Sequence, residues 1–174
     1  MAASASASAI GRERELADIR DFIVSIRRRP GFLMLDGAAG IGKTTLWRAG
    51  VRAAADESFR VLACRPAELE SRLAFSGVID LFADVEDAVL ESLPAPQRRA
   101  LEIALLRRES SGAAIDPRNT AVAALGAVRA LARSAPVLIA VDDVQWLDAP
   151  SAPRHVLYGT SFARRTGRAA FDAT

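Results

Sequence analysis

The sequence predicts an α/β chain with a mostly parallel sheet, and three short runs carry that reading. Phe32 to Asp36 (FLMLD), Arg60 to Arg65 (RVLACR) and Val137 to Val141 (VLIAV) each have the length and apolar content of a buried strand. The first two are separated by one helix length of sequence, and strand, helix, strand order at that spacing points to parallel pairing. The third is followed by two acids, Asp142 and Asp143, at the end of a strand where ligands bind in open α/β sheets.

Between the first strand and its helix stands Gly37-Ala38-Ala39-Gly40-Ile41-Gly42-Lys43-Thr44-Thr45. Its G-x-x-x-x-G-K-T spacing, in strand–loop–helix context, is that of a phosphate-binding loop, or Walker A. Glycines let the backbone wrap a phosphate chain with its N–H groups inward, and the helix N-terminus adds its dipole. Lys43 is placed to reach the β- and γ-phosphates of ATP, and the Thr44 hydroxyl to ligate Mg²⁺. Lys43 is the only lysine among the 23 Lys and Arg residues. GC-rich coding accounts for the arginines, but a compact ammonium at a phosphate loop is not interchangeable with a guanidinium.

Along the chain, residues 1–9 (MAASASASA) form a low-complexity leader, expected to be disordered and lacking the basic and apolar regions of a signal peptide. From Gly11, GREREL enters a helix with Leu16, Ile19, Phe22, Ile23 and Ile26 on one face. Arg27-Arg28-Arg29-Pro30-Gly31 closes it as a solvated C-terminus favoured by the macrodipole. Thr44 to about Asp56 is the helix behind the loop, with Leu46 and Val51 as core contacts and Trp47 open between core and groove. Further helical patterns span Leu73 to Phe82, Pro96 to Arg107 and Arg118 to Ala132, the last small and apolar enough to pack on a sheet. Val137 to Val141 reads as a fully buried strand, after which Asp142 would hold the Mg²⁺ shell and Asp143 would orient or deprotonate the attacking water, the Walker B pattern.

Composition narrows the function classes. With 174 residues and 51% hydrophobic content the chain can build one core. A net charge of +2 does not argue for nucleic acid, and no apolar run is long enough for a membrane span. The lone Cys64 excludes an intrachain disulfide and suits a buried strand position. The expected compartment is the cytoplasm.

GREREL at Gly11 to Leu16, GAAGIGKTTL at Gly37 to Leu46 and VDDVQWLDAPS at Val141 to Ser151 together resemble the ATPase domain of large LuxR-type bacterial transcriptional regulators, in the STAND branch of AAA-like P-loop ATPases. LAFSGVIDLF at Leu73 to Phe82 and LPAPQRRALEIAL at Leu93 to Leu105 are similar too. The resemblance implies that Gly11, Arg12 and Glu13 lie near the adenine. It also implies a nucleotide-dependent switch that controls self-association and presents a C-terminal helix-turn-helix to DNA. Asp143 departs from the Glu common in AAA motors, and its shorter reach implies slow hydrolysis.

Only 26 residues follow Asp148, whereas a further strand–helix–strand unit needs about 30. No further core strand, lid or DNA-binding domain is therefore expected, and residues 152–174 read as an atypical tail produced by truncation or frameshift. The fold class is then an incomplete P-loop NTPase three-layer sandwich of AAA/STAND type, with residues 10–151 as a partial ATPase domain. Two alternatives stay open: a non-functional remnant, and a P-loop kinase or motor ATPase of another family. The kinase would need an Arg-rich substrate lid, and the motor an arginine finger and sensor residues; neither is recognisable.

Overall fold

The computed structural model describes residues 11–110, 112, 115–151 and the backbone of 166–170. The leader, His155 and most of the tail lie outside these residues. The chain divides into two units, residues 1–57 with 163–174, and residues 58–162.

In the first unit, α1 spans Glu13–Ile26, β1 Phe32–Asp36 and α2 Lys43–Asp56, close to the boundaries that the apolar patterns predict. Ile19 and Ile23 are the buried residues of the expected α1 face, while Leu46 and Ala54 are those of α2. The helices approach closely at Gly50, where an added Cβ would stand 3.2 Å from Ile19 Cγ2. Trp47 and Val51 are half-buried. Arg27 does more than solvate a helix end. It donates to the Glu57 carbonyl and pairs with the Glu57 carboxylate at 3.5 Å, linking the C-termini of α1 and α2.

A strand at Thr166–Ala170, β4, pairs in parallel with β1, Phe32 opposite Thr166 and Asp36 opposite Ala170. This corrects the expectation that the tail leaves no room for another strand. That estimate assumed a complete strand–helix–strand unit, but a parallel return needs only a dozen or so residues of crossover.

In the second unit, β2 (Arg60–Cys64) and β3 (Val137–Val141) pair in parallel, with Arg60 opposite Val137 and Cys64 opposite Val141. The strand pairs therefore form two two-stranded sheets among the described residues, where one larger sheet was expected. For the same reason β3 is mostly half-buried rather than fully buried: β2 is its one strand neighbour there, and only Ala140 falls in the core.

Four helices build the core: α3 (Ser76–Leu81), α4 (Asp87–Glu91), α5 (Ala95–Ala104) and α6 (Pro117–Leu131). Pro96 lies in the first turn of α5, and Asp116 caps α6 by accepting from the Arg118 N–H at 2.9 Å. Ala123, Ala124 and Ala127 let α6 join Phe82, Leu90 and Leu101 in one buried cluster, against which Val137, Ile139 and Val141 of β3 also pack. The helix expected from Leu73 starts only at Ser76, because Phe75 takes a left-handed φ of 67°. Glu102 is buried and tolerated there because Arg98 and Arg108 each hold one carboxylate oxygen at 2.6 Å. Among the described residues no helix is long and apolar enough to cross a membrane.

Candidate functional site

The loop from Gly37 to Gly42 is shaped by its own backbone. The Gly37 N–H donates to Asp36 Oδ1 at 2.9 Å, and the Gly42 carbonyl accepts from the Thr45 and Leu46 N–H groups as α2 begins. Gly40 and Gly42 have φ of 78° and 95°, and a Cβ on either would meet nothing within 4 Å. Glycine is thus required by the dihedral and not by crowding. Gly42→Ala is expected to cost about 1–2 kcal/mol of stability through left-handed strain alone, read as a lower urea midpoint at unchanged slope.

Lys43 folds back over the loop, its Nζ donating to the carbonyls of Gly37 at 2.9 Å and Ala38 at 3.0 Å. An ammonium carries three donors, so one remains for an anion held by the loop. Thr44 is half-buried in the first turn of α2, and Thr45 is exposed.

The segment before α1 is tied to this loop. Arg12 Nη2 donates to the Ile41 carbonyl at 2.8 Å, while Nη1 pairs with Glu15 Oε1 at 3.0 Å. The Gly11 N–H donates to Glu13 Oε1 at 3.2 Å. A hydrogen bond from the backbone, followed by the Arg12 guanidinium, holds the Glu15 carboxyl below its ordinary value against the opposing effect of burial. Of the three residues Gly11, Arg12 and Glu13, Arg12 makes the hydrogen bond that ties this segment to the loop. The specific contact to Ile41 was not legible, since a carbonyl partner 29 residues away leaves no trace in local pattern.

Asp142 and Asp143 belong to the second unit. Asp142 is buried; its N–H continues the β2–β3 ladder to the Cys64 carbonyl at 3.1 Å, and its Oδ2 lies 3.4 Å from Arg65 Nε. Asp143 is exposed in a left-handed conformation with φ 48° and accepts from Gln145 Nε2 at 3.0 Å. Among the described residues no cluster of three His, Cys, Asp or Glu could hold a metal ion unaided. Cys64 is buried and its thiol is pushed up to about 12, by burial first and then by the charges of Asp80 and Asp148.

Asp148 was overlooked at the sequence level. It is 1% exposed, and its carboxylate accepts from the N–H groups of Phe75 (2.7 Å), Gly77 (3.0 Å) and Ser151 (3.1 Å) and from Ser76 Oγ (3.1 Å). Burial works to raise its pKa, but these hydrogen bonds prevail and lower it. Asp148 is therefore the clamp between the head of α3 and the segment after β3. The D-A-P-S run was a signal for it, since a short acid followed three residues later by Ser is a local turn former.

The family model described as AAA ATPase domain matches residues 8–159. No curated protein and no solved structure matches the chain. With the phosphate loop, its lysine and the two acids after β3 all inside the matched span, the chain belongs to the AAA ATPase domain family and has an incomplete α/β P-loop fold.

Proposed function

We propose that this chain is the ATP-binding switch module of a LuxR-type, STAND-class transcriptional regulator acting in the cytoplasm. The observation that carries nucleotide binding is Lys43 held across a loop whose Gly40 and Gly42 adopt left-handed backbone. The regulator assignment is supported by GREREL, LAFSGVIDLF and VDDVQWLDAPS, which resemble that class. Gly37 to Thr45 would cradle the phosphates, Lys43 would neutralise their charge, and Gly11, Arg12 and Glu13 would flank the base. Thr44 and Asp142 are proposed for the Mg²⁺ shell, and Asp143 for positioning the attacking water. When bound, Mg²⁺ supplies charge neutralisation to the phosphates.

Titration of the full chain with a fluorescent ATP analogue, with Mg²⁺ or with EDTA, tests this reading. Saturable binding lost in Lys43→Ala supports the module; the absence of any saturable binding would leave the alternative of a remnant that retains the motifs. Turnover is expected to be slow, because Asp143 is one methylene shorter than glutamate and is engaged by Gln145. An arginine finger, supplied in cis or in trans, is worth ~10³–10⁵ in rate in P-loop GTPases, and none is recognisable in this sequence. Phosphate release by the isolated chain should stay close to that of a Lys43→Ala control. Nucleotide-dependent self-association follows from the same resemblance.

A further inference from the structure

A cleft of about 850 Å³ lies in the second unit, between the turn that joins α3 to α4, α4 itself and the end of α5. Its lining belongs wholly to that unit and includes no residue of the phosphate loop and neither acid after β3. Such a volume is that of a small-molecule site. Val85 and Leu90 line it from the buried core, and the rest of its wall is almost entirely charged.

Three guanidiniums and five carboxylates stand in that wall, and several are already matched. Arg107 donates to the carbonyls of Ala83 and Val85 at 3.2 Å and to Asp87 at 2.9 Å, so its charge and donors are spent on the α3–α4 turn. Glu86 pairs with Arg60 at 3.2 Å. Glu102 is different, because one buried carboxylate takes two guanidiniums, Arg98 Nε on Oε1 and Arg108 Nε on Oε2, each at 2.6 Å. The hydrogen bond from Arg98, and after it that from Arg108, holds the Glu102 carboxyl below its ordinary value against the effect of burial. The trio therefore carries one net positive charge. One guanidinium would neutralise the carboxylate, so the second is in surplus. Arg108 spends only Nε among the described residues, out of five donors in a planar fork.

Negative charge is in surplus as well. Asp84 is exposed and has no partner among the described residues, and Glu91, also exposed, reaches only Arg98, at 3.9 Å. A simple anion entering the cleft would meet these two carboxylates, and a simple cation would meet the surplus guanidinium. A ligand that carries both charges is opposed by neither.

We propose that this cleft binds a small zwitterion of amino-acid or short-peptide type, its carboxylate on Arg98 and Arg108 and its ammonium toward Asp84 and Glu91. Glu102 holds the two guanidiniums in place before the ligand arrives, which lowers the ordering cost of binding.

The test is calorimetric titration of the full chain with three probes: trialanine, trialanine amidated at its C-terminus and trialanine acetylated at its N-terminus. Trialanine is expected to bind saturably at millimolar concentration. Each blocked form should bind about tenfold or more weakly, the scale of one charge-assisted contact. Arg108→Gln leaves Arg98 to neutralise Glu102, and should weaken trialanine by a similar factor. In the wild-type protein the Arg108 Nε–H resonance should move on addition of trialanine, a readout that needs no substitution. The absence of saturable trialanine binding overturns the proposal, as does equal affinity for all three probes. Undiminished affinity of the acetylated form marks a plain carboxylate site and overturns the zwitterion assignment. An Arg108→Gln protein with a lower urea midpoint but unchanged trialanine affinity marks a purely structural ion trio, and overturns it too.

Discussion

Asp148→Ala is expected to remove about 3–5 kcal/mol of stability, the scale for breaking a buried charged network by deleting one partner. The substitution leaves the N–H groups of Phe75, Gly77 and Ser151 without their carboxylate acceptor in a site where Asp148 itself is 1% exposed. Each buried donor left unsatisfied costs about 1–3 kcal/mol, and a domain holds only about 5–15 in total. Urea unfolding followed by circular dichroism measures the loss; a change below about 1 kcal/mol would show that the clamp is dispensable. The same carboxylate predicts an acid limit. Its pKa is lowered in the folded chain, so its contribution is fully present above the unfolded carboxylate value of about 3.9 and is lost as pH falls from there through the folded pKa. Asp148→Asn, which keeps one acceptor oxygen, should lose less at neutral pH and flatten that acid dependence.

Lys43→Ala is expected to weaken binding of the ATP analogue by about one to two decades, since a charge-assisted contact is worth about 1.5–3 kcal/mol. The loop should survive the change. Its left-handed turns are properties of Gly40 and Gly42, and the lysine adds two hydrogen bonds to the Gly37 and Ala38 carbonyls. Lys43→Arg should not restore binding, because a planar guanidinium cannot take the place of a compact ammonium over two carbonyls. Wild-type affinity in Lys43→Ala would remove this residue from the site.

The parts of the molecule that were legible in the sequence are those defined locally. β1 and β3 each coincide with a five-residue run, and α2 begins at Lys43 because the glycines before it cannot sustain a helix. The phosphate loop and the two acids after β3 follow from spacing alone. What was missed depends on partners distant in the chain. The start of α3 is set by Phe75 in left-handed conformation beneath Asp148, a pairing across 73 residues. Arg12 meets Ile41, and Arg65 meets Asp142 across 77 residues, with no periodicity to announce either. β4 was missed for another reason: T-G-R-A-A has no strand composition, and its place comes from backbone pairing with β1. The short α4 falls below the length at which an apolar face can be recognised, although Leu90 anchors it in the core.

Cys64 gives the chain an internal gauge of its own breathing. It is the sole cysteine in the sequence, it lies 3% exposed in β2, and its thiol is pushed up to about 12. Near neutral pH the reactive thiolate is all but absent while β2 stays closed, so alkylation has to wait for the strand to open. The rate of labelling at this one sulfur therefore counts openings of the second unit, without any engineered probe and without reference to what the phosphate loop binds.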